Sequence, residues 1–497
     1  MPSEVSYTPT FKRQDLIKTG YYINGEWYNE AEQYFEVLNP ANNEVIGKFP
    51  ECKPEIVEKA IDAAAEAFKT YKNTAPRQRA KWLRNMYNLM MDNIEDLAKI
   101  ITWENGKALA EARGEVRYAA SFFEWFAEEA PRMYGATIQP SVPTNRVITL
   151  RQPVGVCGIV CPWNFPAAMI TRKAAAALAV GCTCVVKPDS DTPFTALAMA
   201  VLAEEAGFPK GAYNVVTSKK LTPLLGQTLC ESKKVRKLTF TGSTKIGKIL
   251  MKQSASTLKK LSMELGGNAP FLVFEDCDLD KAVKEVIACK FRSLGQTCVC
   301  TNRVYVQSTI IDEFSKRLAA EVQKFVIGNP FDERNTHGCL INQGAVDKVE
   351  RHKQDAIARG AKVILEGGPI KGLGSNFYAP VVLTNVSPDA LCAHEETFGP
   401  LCPIFKFDTI EEAVKYANDC DVGLASYVYS NNINTLVTVY EALESGMVSC
   451  NTGIFSDSAT PFGGVKESGF GREGSLYGIE DYTVLKTINI GNLPARL

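Results

Sequence analysis

From about residue 154 onward, short apolar runs alternate with longer stretches of helical periodicity. Residues 154–160 predict a buried strand, 167–179 a helix and 184–186 the next strand. Residues 195–206 read as a helix closed by Gly207, and 213–217 and 237–241 supply further strands. Strands separated by helices imply parallel pairing, because parallel neighbours need a crossover. Such sheets bind ligands beyond the carboxyl ends of their strands. A second β/α series starts near Phe271, with a strand over 271–274. Asp278 then caps a helix carrying Ala282, Val283, Val286, Ile287 and Phe291 at spacings of three to four. A strand over 303–307 and an amphipathic helix over 311–325 follow. Residues 463–474 are glycine-rich and are expected to form a loop. Residues 484–490 alternate like a strand with little helix after them, which suits an edge strand completed by another subunit.

Composition narrows the function classes. The 497 residues suggest about three structural units, enough to bury a core without disulfides or metals. Lys+Arg total 55 and Asp+Glu 56, so the basic surplus expected of a nucleic-acid binder is absent. No run of about 20 apolar residues exists, which excludes a membrane-spanning helix. The 15 cysteines are odd in number and scattered, which argues for free thiols in a reducing compartment rather than a disulfide framework. The three histidines, His337, His352 and His394, fall in no metal-binding spacing with cysteine, so no metal is expected. The first residues lack a basic region followed by an apolar core, and Glu4 and Asp15 argue against a mitochondrial presequence. A cytoplasmic location is expected, with the mitochondrion as an alternative. The ending Ala495-Arg496-Leu497 is similar to a peroxisomal Ser-Lys-Leu address, or is an accidental tail.

Four short motifs carry candidate chemistry. Phe240-Thr241-Gly242-Ser243-Thr244-Lys245-Ile246-Gly247 follows a strand and opens a helix, where small residues let backbone N–H groups approach a phosphate. A tight strand–helix turn without ligand accounts for it equally well. Cys298, in Gly295-Gln296-Thr297-Cys298-Val299-Cys300, lies in a polar stretch suited to a partly exposed, reactive thiolate; a buried structural thiol is the alternative. Glu264, before Gly266-Gly267, is either a general base at a close-packed turn or a paired carboxylate at a strand end. Asn164, in Pro162-Trp163-Asn164-Phe165-Pro166, follows the 154–160 strand, where its amide suits a substrate oxygen; a rigid turn is the alternative.

In this order and spacing the four motifs resemble the aldehyde dehydrogenase superfamily. Tyr22-Ile23-Asn24-Gly25, Lys187-Pro188, Glu395-Glu396-Thr397-Phe398-Gly399-Pro400 and Pro461-Phe462-Gly463-Gly464 extend the likeness over nearly the whole chain. The resemblance implies an α/β fold with a Rossmann-type parallel-sheet cofactor domain (1–130 and 154–266). It also implies an α/β catalytic domain (267–470) and a β oligomerisation arm (131–153 and 471–497) of a homodimer or homotetramer. It implies that Cys298 attacks the aldehyde and forms a thiohemiacetal, with Asn164 and the Cys298 N–H holding the oxyanion. Hydride transfer to a nicotinamide then leaves a thioester, and Glu264 activates the water that hydrolyses it. Lys187 is expected at the adenosine ribose, and Trp163, Gly242 and Ser243 at the pyrophosphate. Glu396 is expected at the nicotinamide ribose, and Phe398 near the ring. Position 190 is often glutamate in NAD-preferring relatives. Ser190 removes that charge and predicts that NADP is accepted, with NAD as the alternative; Asp189 and Asp191 temper the effect.

Within the superfamily, residues 164–173 and 290–300 are similar to the succinate-semialdehyde dehydrogenases. That likeness implies that Arg172, Arg292 and Ser456 bind a substrate carboxylate, for which guanidinium groups are suited. It places the reaction in 4-aminobutanoate breakdown. Glutarate semialdehyde is the alternative substrate, and a non-catalytic protein on the same scaffold is disfavoured because Cys298 and Glu264 are both present. The likeness also points to Cys300 as a redox partner for Cys298, with a second buried thiol as the alternative. Phe470, where leucine is common, and the stretch 456–460 depart from the pattern.

Overall fold

The computed structural model describes residues 5–494, so the Ala495-Arg496-Leu497 ending lies outside the described residues. Two large sheets organise the chain. The first has eight strands in the order Glu26–Tyr28, Tyr21–Ile23, Tyr213–Val215, Thr183–Lys187, Val156–Val160, Val235–Thr241, Lys260–Glu264, Gly469–Phe470. Its five central strands are parallel, and both flanks are antiparallel. Sequence order reverses at Val156–Val160, whose neighbours are the next strand on one side and a later one on the other. Such a switch point opens a crevice at the strand ends. Here the crevice lies beyond Val160 and Thr241, where the chain continues into Trp163-Asn164 and Gly242-Ser243.

The second sheet has seven strands in the order Lys362–Leu365, Val381–Thr384, Leu401–Phe407, Thr301–Gln307, Ala269–Val273, Ala425–Tyr429, Met447–Cys450. All its pairs are parallel except the first. A smaller antiparallel sheet pairs Thr483–Ile490 with Arg146–Pro153 over eight residues and adds Thr137–Ile138. The 484–490 stretch is thus a strand, and it leaves Val484, Leu485 and Ile490 exposed at an open edge.

Helices follow the apolar pattern. Ala168–Val180 and Pro193–Glu205 are apolar on nearly every side and are buried in the largest core. Asp278 caps Leu279–Lys290 by accepting from the Lys281 N–H. The glycine-rich stretch 463–474 differs from the expected loop. It contains two short strands, Val465–Lys466 and Gly469–Phe470. Gly469 has φ +98°, and a Cβ there would lie 2.1 Å from the Met263 carbonyl oxygen, so glycine is what lets this segment reach the first sheet. Ser468 Oγ reinforces the join by donating to the Gly266 carbonyl at 2.7 Å.

The turn bearing Trp163 and Asn164 is braced from the Leu109–Glu129 helix and the residues before it. Lys107 Nζ donates to the Asn164 carbonyl at 2.7 Å and pairs with Glu115 at 2.6 Å. Glu115 in turn accepts from the Ala167 N–H at 2.9 Å, and Asn105 Nδ2 donates to the Trp163 carbonyl. Both members of the Lys107–Glu115 pair are buried. Removing one partner of a buried pair strands the other charge and costs about 3–5 kcal/mol. Glu115→Ala is therefore expected to lower the apparent urea midpoint of unfolding by a corresponding amount; an unchanged midpoint would mean that the brace adds nothing.

Candidate active site

A cavity of about 350 Å³ opens at the switch point and is lined by Trp163, Asn164, Gly242, Ser243, Cys298, Lys348, Glu396 and Phe398, among others. The fold thus brings together residues from both sheets and from the loop between Leu391–His394 and Leu401–Phe407. Trp163 and Phe398 meet edge to face with centroids 5.6 Å apart. Phe398 is held at a left-handed φ of 58°. Ser243 precedes the helix Thr244–Ser254, so unpaired N–H groups of its first turn face the crevice end of the sheet.

Cys298 sits in a turn between the Arg292–Gly295 segment and the strand Thr301–Gln307. Ser293, Leu294 and Gly295 are all left-handed, and the Ser293 N–H is held by Glu111 Oε1 at 2.6 Å. The cysteine packs close to the junction between the sheets: a Cβ at Gly267 would lie 2.5 Å from the Cys298 carbonyl oxygen. Asn164 Nδ2 donates to the neighbouring Gln296 carbonyl at 3.1 Å, while its Oδ1 is buried without a partner. One amide hydrogen of Asn164 is therefore left for a ligand oxygen.

The electrostatics differ from a pre-formed thiolate. Cys298 is half-buried, but burial, and then the charge of Glu264, push its thiol well above the ordinary range; Arg172 opposes the shift. Burial also raises Glu396 to about 7, although it accepts from the Gly267 N–H at 3.2 Å. Burial lowers the Lys187 ammonium against the opposing charge of Asp189.

Glu264, at the end of its strand, is nearly buried and pairs with Arg172 Nη2 at 2.7 Å. Arg172 Nε also pairs with Glu473, which holds Lys173 at 2.8 Å. Burial works against the Arg172 charge, but Glu473 and Glu264 more than offset it and hold the guanidinium above its ordinary value. Arg292 lies over the Phe165 ring and donates to Ser456 Oγ at 2.7 Å. Cys300 is buried, with Lys290 Nζ 3.5 Å from its Sγ, and all described cysteines are free. Lys187, Ser190, Glu264, Arg172, Arg292, Ser456 and Cys300 lie outside the lining of the cavity itself. Several residues were not visible from sequence. Tyr118 is one: its phenol feels the charges of Arg172 and Arg292. Glu473, Lys173 and Lys348 are others, and only contact across long sequence separations reveals them.

With this geometry in place, comparison with known proteins is direct. Residues 27–488 match the Aldehyde dehydrogenase family. The chain is 70% identical to a succinate-semialdehyde dehydrogenase [NADP(+)] of Saccharomyces cerevisiae, over 98% of each chain. It is 50% identical to a glutarate-semialdehyde dehydrogenase of Pseudomonas putida, over 96% of this chain and 99% of that one. The solved structure of a succinate-semialdehyde dehydrogenase from Burkholderia pseudomallei superposes with a TM-score of 0.95 at 49% identity, covering 97% of this chain and all of the other. The chain belongs to the aldehyde dehydrogenase family.

The raised thiol has a measurable consequence. Iodoacetamide should alkylate Cys298 of the ligand-free enzyme slowly at neutral pH, and the rate should still be climbing above pH 9. Glu264→Gln removes the opposing negative charge and should speed alkylation at pH 7 several-fold. A rate that levels off below pH 8 would contradict the charge balance described.

Proposed function

We propose that this protein oxidises succinate semialdehyde to succinate with NADP or NAD, in the breakdown of 4-aminobutanoate. The observation that carries the substrate reading is Arg292. It donates to Ser456, stands six residues before Cys298, and has no carboxylate partner among the described residues. A guanidinium so placed is suited to a ligand carboxylate. Arg172 is the second group of the proposed clamp. Glutarate semialdehyde is the second reading, favoured by the likeness to the P. putida enzyme.

The residues present fit a dinucleotide. Lys187 is buried, yet its Nζ makes no hydrogen bond among the described residues, which leaves it for a ribose hydroxyl. Asn164 Oδ1 and Thr297 Oγ1 are buried without partners close to Cys298. Lys187 and Ser190 would hold the adenosine ribose, with Trp163, Gly242 and Ser243 at the pyrophosphate and Glu396 and Phe398 at the nicotinamide riboside. When bound, the cofactor supplies the two-electron oxidant that takes up the hydride. Cys298 gives up its thiol proton to water, its Sγ bonds to the aldehyde carbon, and the Asn164 amide with the Cys298 N–H holds the resulting oxyanion. After oxidation the acyl group remains on Cys298 as a thioester. Glu264 accepts a proton from the attacking water, the C–S bond breaks and the carboxylate product leaves.

Other parts of the reading rest on separate observations. The segregation of strands between two large sheets supports a cofactor domain of 1–130 and 154–266 and a catalytic domain of 267–470, whose final strand, Gly469–Phe470, crosses back to the first sheet. The open, partly apolar edge of Thr483–Ile490 supports an arm of 131–153 and 471–497 that joins copies into a homodimer or homotetramer. The cysteines, free in the described structure, support a reducing, cytoplasmic compartment. Among the described residues no helix is long and apolar enough to cross a membrane. Pairing of Cys300 with Cys298 as a redox switch would require the Cys300 thiol to turn from Lys290.

Two measurements test this reading. Succinate semialdehyde should be preferred over butanal, and Arg292→Ala should cost about 10²-fold in kcat/KM for the semialdehyde while sparing butanal. Equal losses for both aldehydes would remove the clamp. Ser190→Glu should lower the NADP:NAD ratio of kcat/KM about tenfold or more by placing a carboxylate against the 2′-phosphate. An unchanged ratio would mean that position 190 does not read the cofactor.

A further inference from the structure

Arg172 is shared between two functions. Its guanidinium holds Glu264 Oε2 through Nη2 at 2.7 Å and Glu473 through Nε, and the three side chains are 1, 4 and 5% exposed. Lys173 completes the group on Glu473. Two cations and two carboxylates thus cancel in a nearly dry environment. Arg292, by contrast, meets no carboxylate among the described residues and donates to Ser456. Arg292 lies over Phe165, next to Asn164, which donates to the Gln296 carbonyl two residues before Cys298. Tyr118 feels both guanidinium charges, so the two arginines share that neighbourhood.

This arrangement constrains the base. While Arg172 donates to Glu264 Oε2, the carboxylate is held in place. The other oxygen, Oε1, has no hydrogen-bond partner but is closed off from solvent, so Glu264 must shift before it meets an attacking water. Breaking the pair outright would leave a buried charge without compensation, which is costly. Exchanging one carboxylate partner of Arg172 for another keeps the guanidinium paired and moves the uncompensated charge to Glu264, where a proton taken from water neutralises it. An acidic substrate brings such a carboxylate.

We propose that Arg172 couples the substrate's carboxylate to the general base: it holds Glu264 until a substrate carboxylate draws the guanidinium away, which frees Glu264 for hydrolysis. The inference rests on the acidic-semialdehyde reading above. In the step controlled, water oxygen bonds to the thioester carbon and Glu264 takes one water proton. The C–S bond then breaks with its electron pair on Cys298 Sγ, and no oxidant or reductant is consumed. Arg172 acts here as a positioning residue. Neutral aldehydes would acylate Cys298 but hydrolyse slowly, so the carboxylate governs kcat as well as KM.

Acetaldehyde and acetate are the two halves of succinate semialdehyde, and they separate these effects. Cofactor reduction by the full-length wild-type enzyme would be followed by stopped flow. Acetaldehyde alone should give a burst of about one equivalent per site and then a slow steady state. Saturating acetate should raise the steady-state rate about fivefold or more without changing the burst rate, whereas chloride at equal ionic strength should not. In Arg172→Gln the acetate effect should vanish; if that variant folds poorly, the wild-type acetate arm decides alone. A steady state indifferent to acetate, with succinate semialdehyde still strongly preferred over butanal, would overturn the coupling and leave the proposed function standing. Loss of that preference would overturn the substrate reading, and the coupling with it.

Discussion

The site depends on a short covalent constraint. Four residues, Leu265 to Asn268, separate the strand that ends at Glu264 from the strand that begins at Ala269, and these strands belong to different sheets. The two sheets are therefore tied at the point where the carboxyl ends of one face the other. Gly266 and Gly267 lie within this connection, and the second lets the Cys298 backbone come nearer than any side chain would allow. The carboxylate of one sheet and the thiol of the other meet because the chain has no slack to keep them apart.

Around that junction the protein buries charge in balanced sets. Lys107 with Glu115 fixes the turn that carries Asn164, and Arg172 and Lys173 with Glu473 fix the Glu264 carboxylate. Such pairs are a weak source of net stability, because desolvation consumes most of the attraction. What they provide is position: each charged atom has few places where it is compensated. The same dryness holds Cys298 as a thiol in the ligand-free state. Reactivity is then a property of the filled site, in which ligand charge and dipoles alter the balance.

Much of the architecture was legible in the sequence because its signal is local. Apolar runs at 154–160 and 237–241 became the strands that flank the switch point, and Asp278 caps the helix expected of it. Glycine disfavours regular structure locally, so the 463–474 stretch reads as a loop in the sequence. There, glycine instead permits a close approach to Met263, a partner with no trace in the local pattern. The motif residues Trp163, Asn164, Gly242, Ser243, Cys298, Glu396 and Phe398 converge on one cavity. Arg172 shows the limit of motif reading. Its place beside the site was foreseeable, but its engagement by Glu264 and Glu473 was not, because charge pairing is decided by three segments far apart in the chain. Tyr118 and Glu115 carry no local signal for the same reason, being ordinary residues of an amphipathic helix.

The returning strand at Gly469–Phe470 has a consequence for biosynthesis. Ser468 Oγ bonds to the Gly266 carbonyl across 202 residues of sequence, and Gly469 pairs directly with Glu264. Contacts of such separation form late, since loop closure must precede them. A nascent chain that has emerged only as far as the second sheet already carries Cys298, Asn164 and Glu264. It still lacks the edge strand beside Glu264, and Glu473, which anchors Arg172. The surroundings of Glu264 are thus completed only when residues 468–473 have been made.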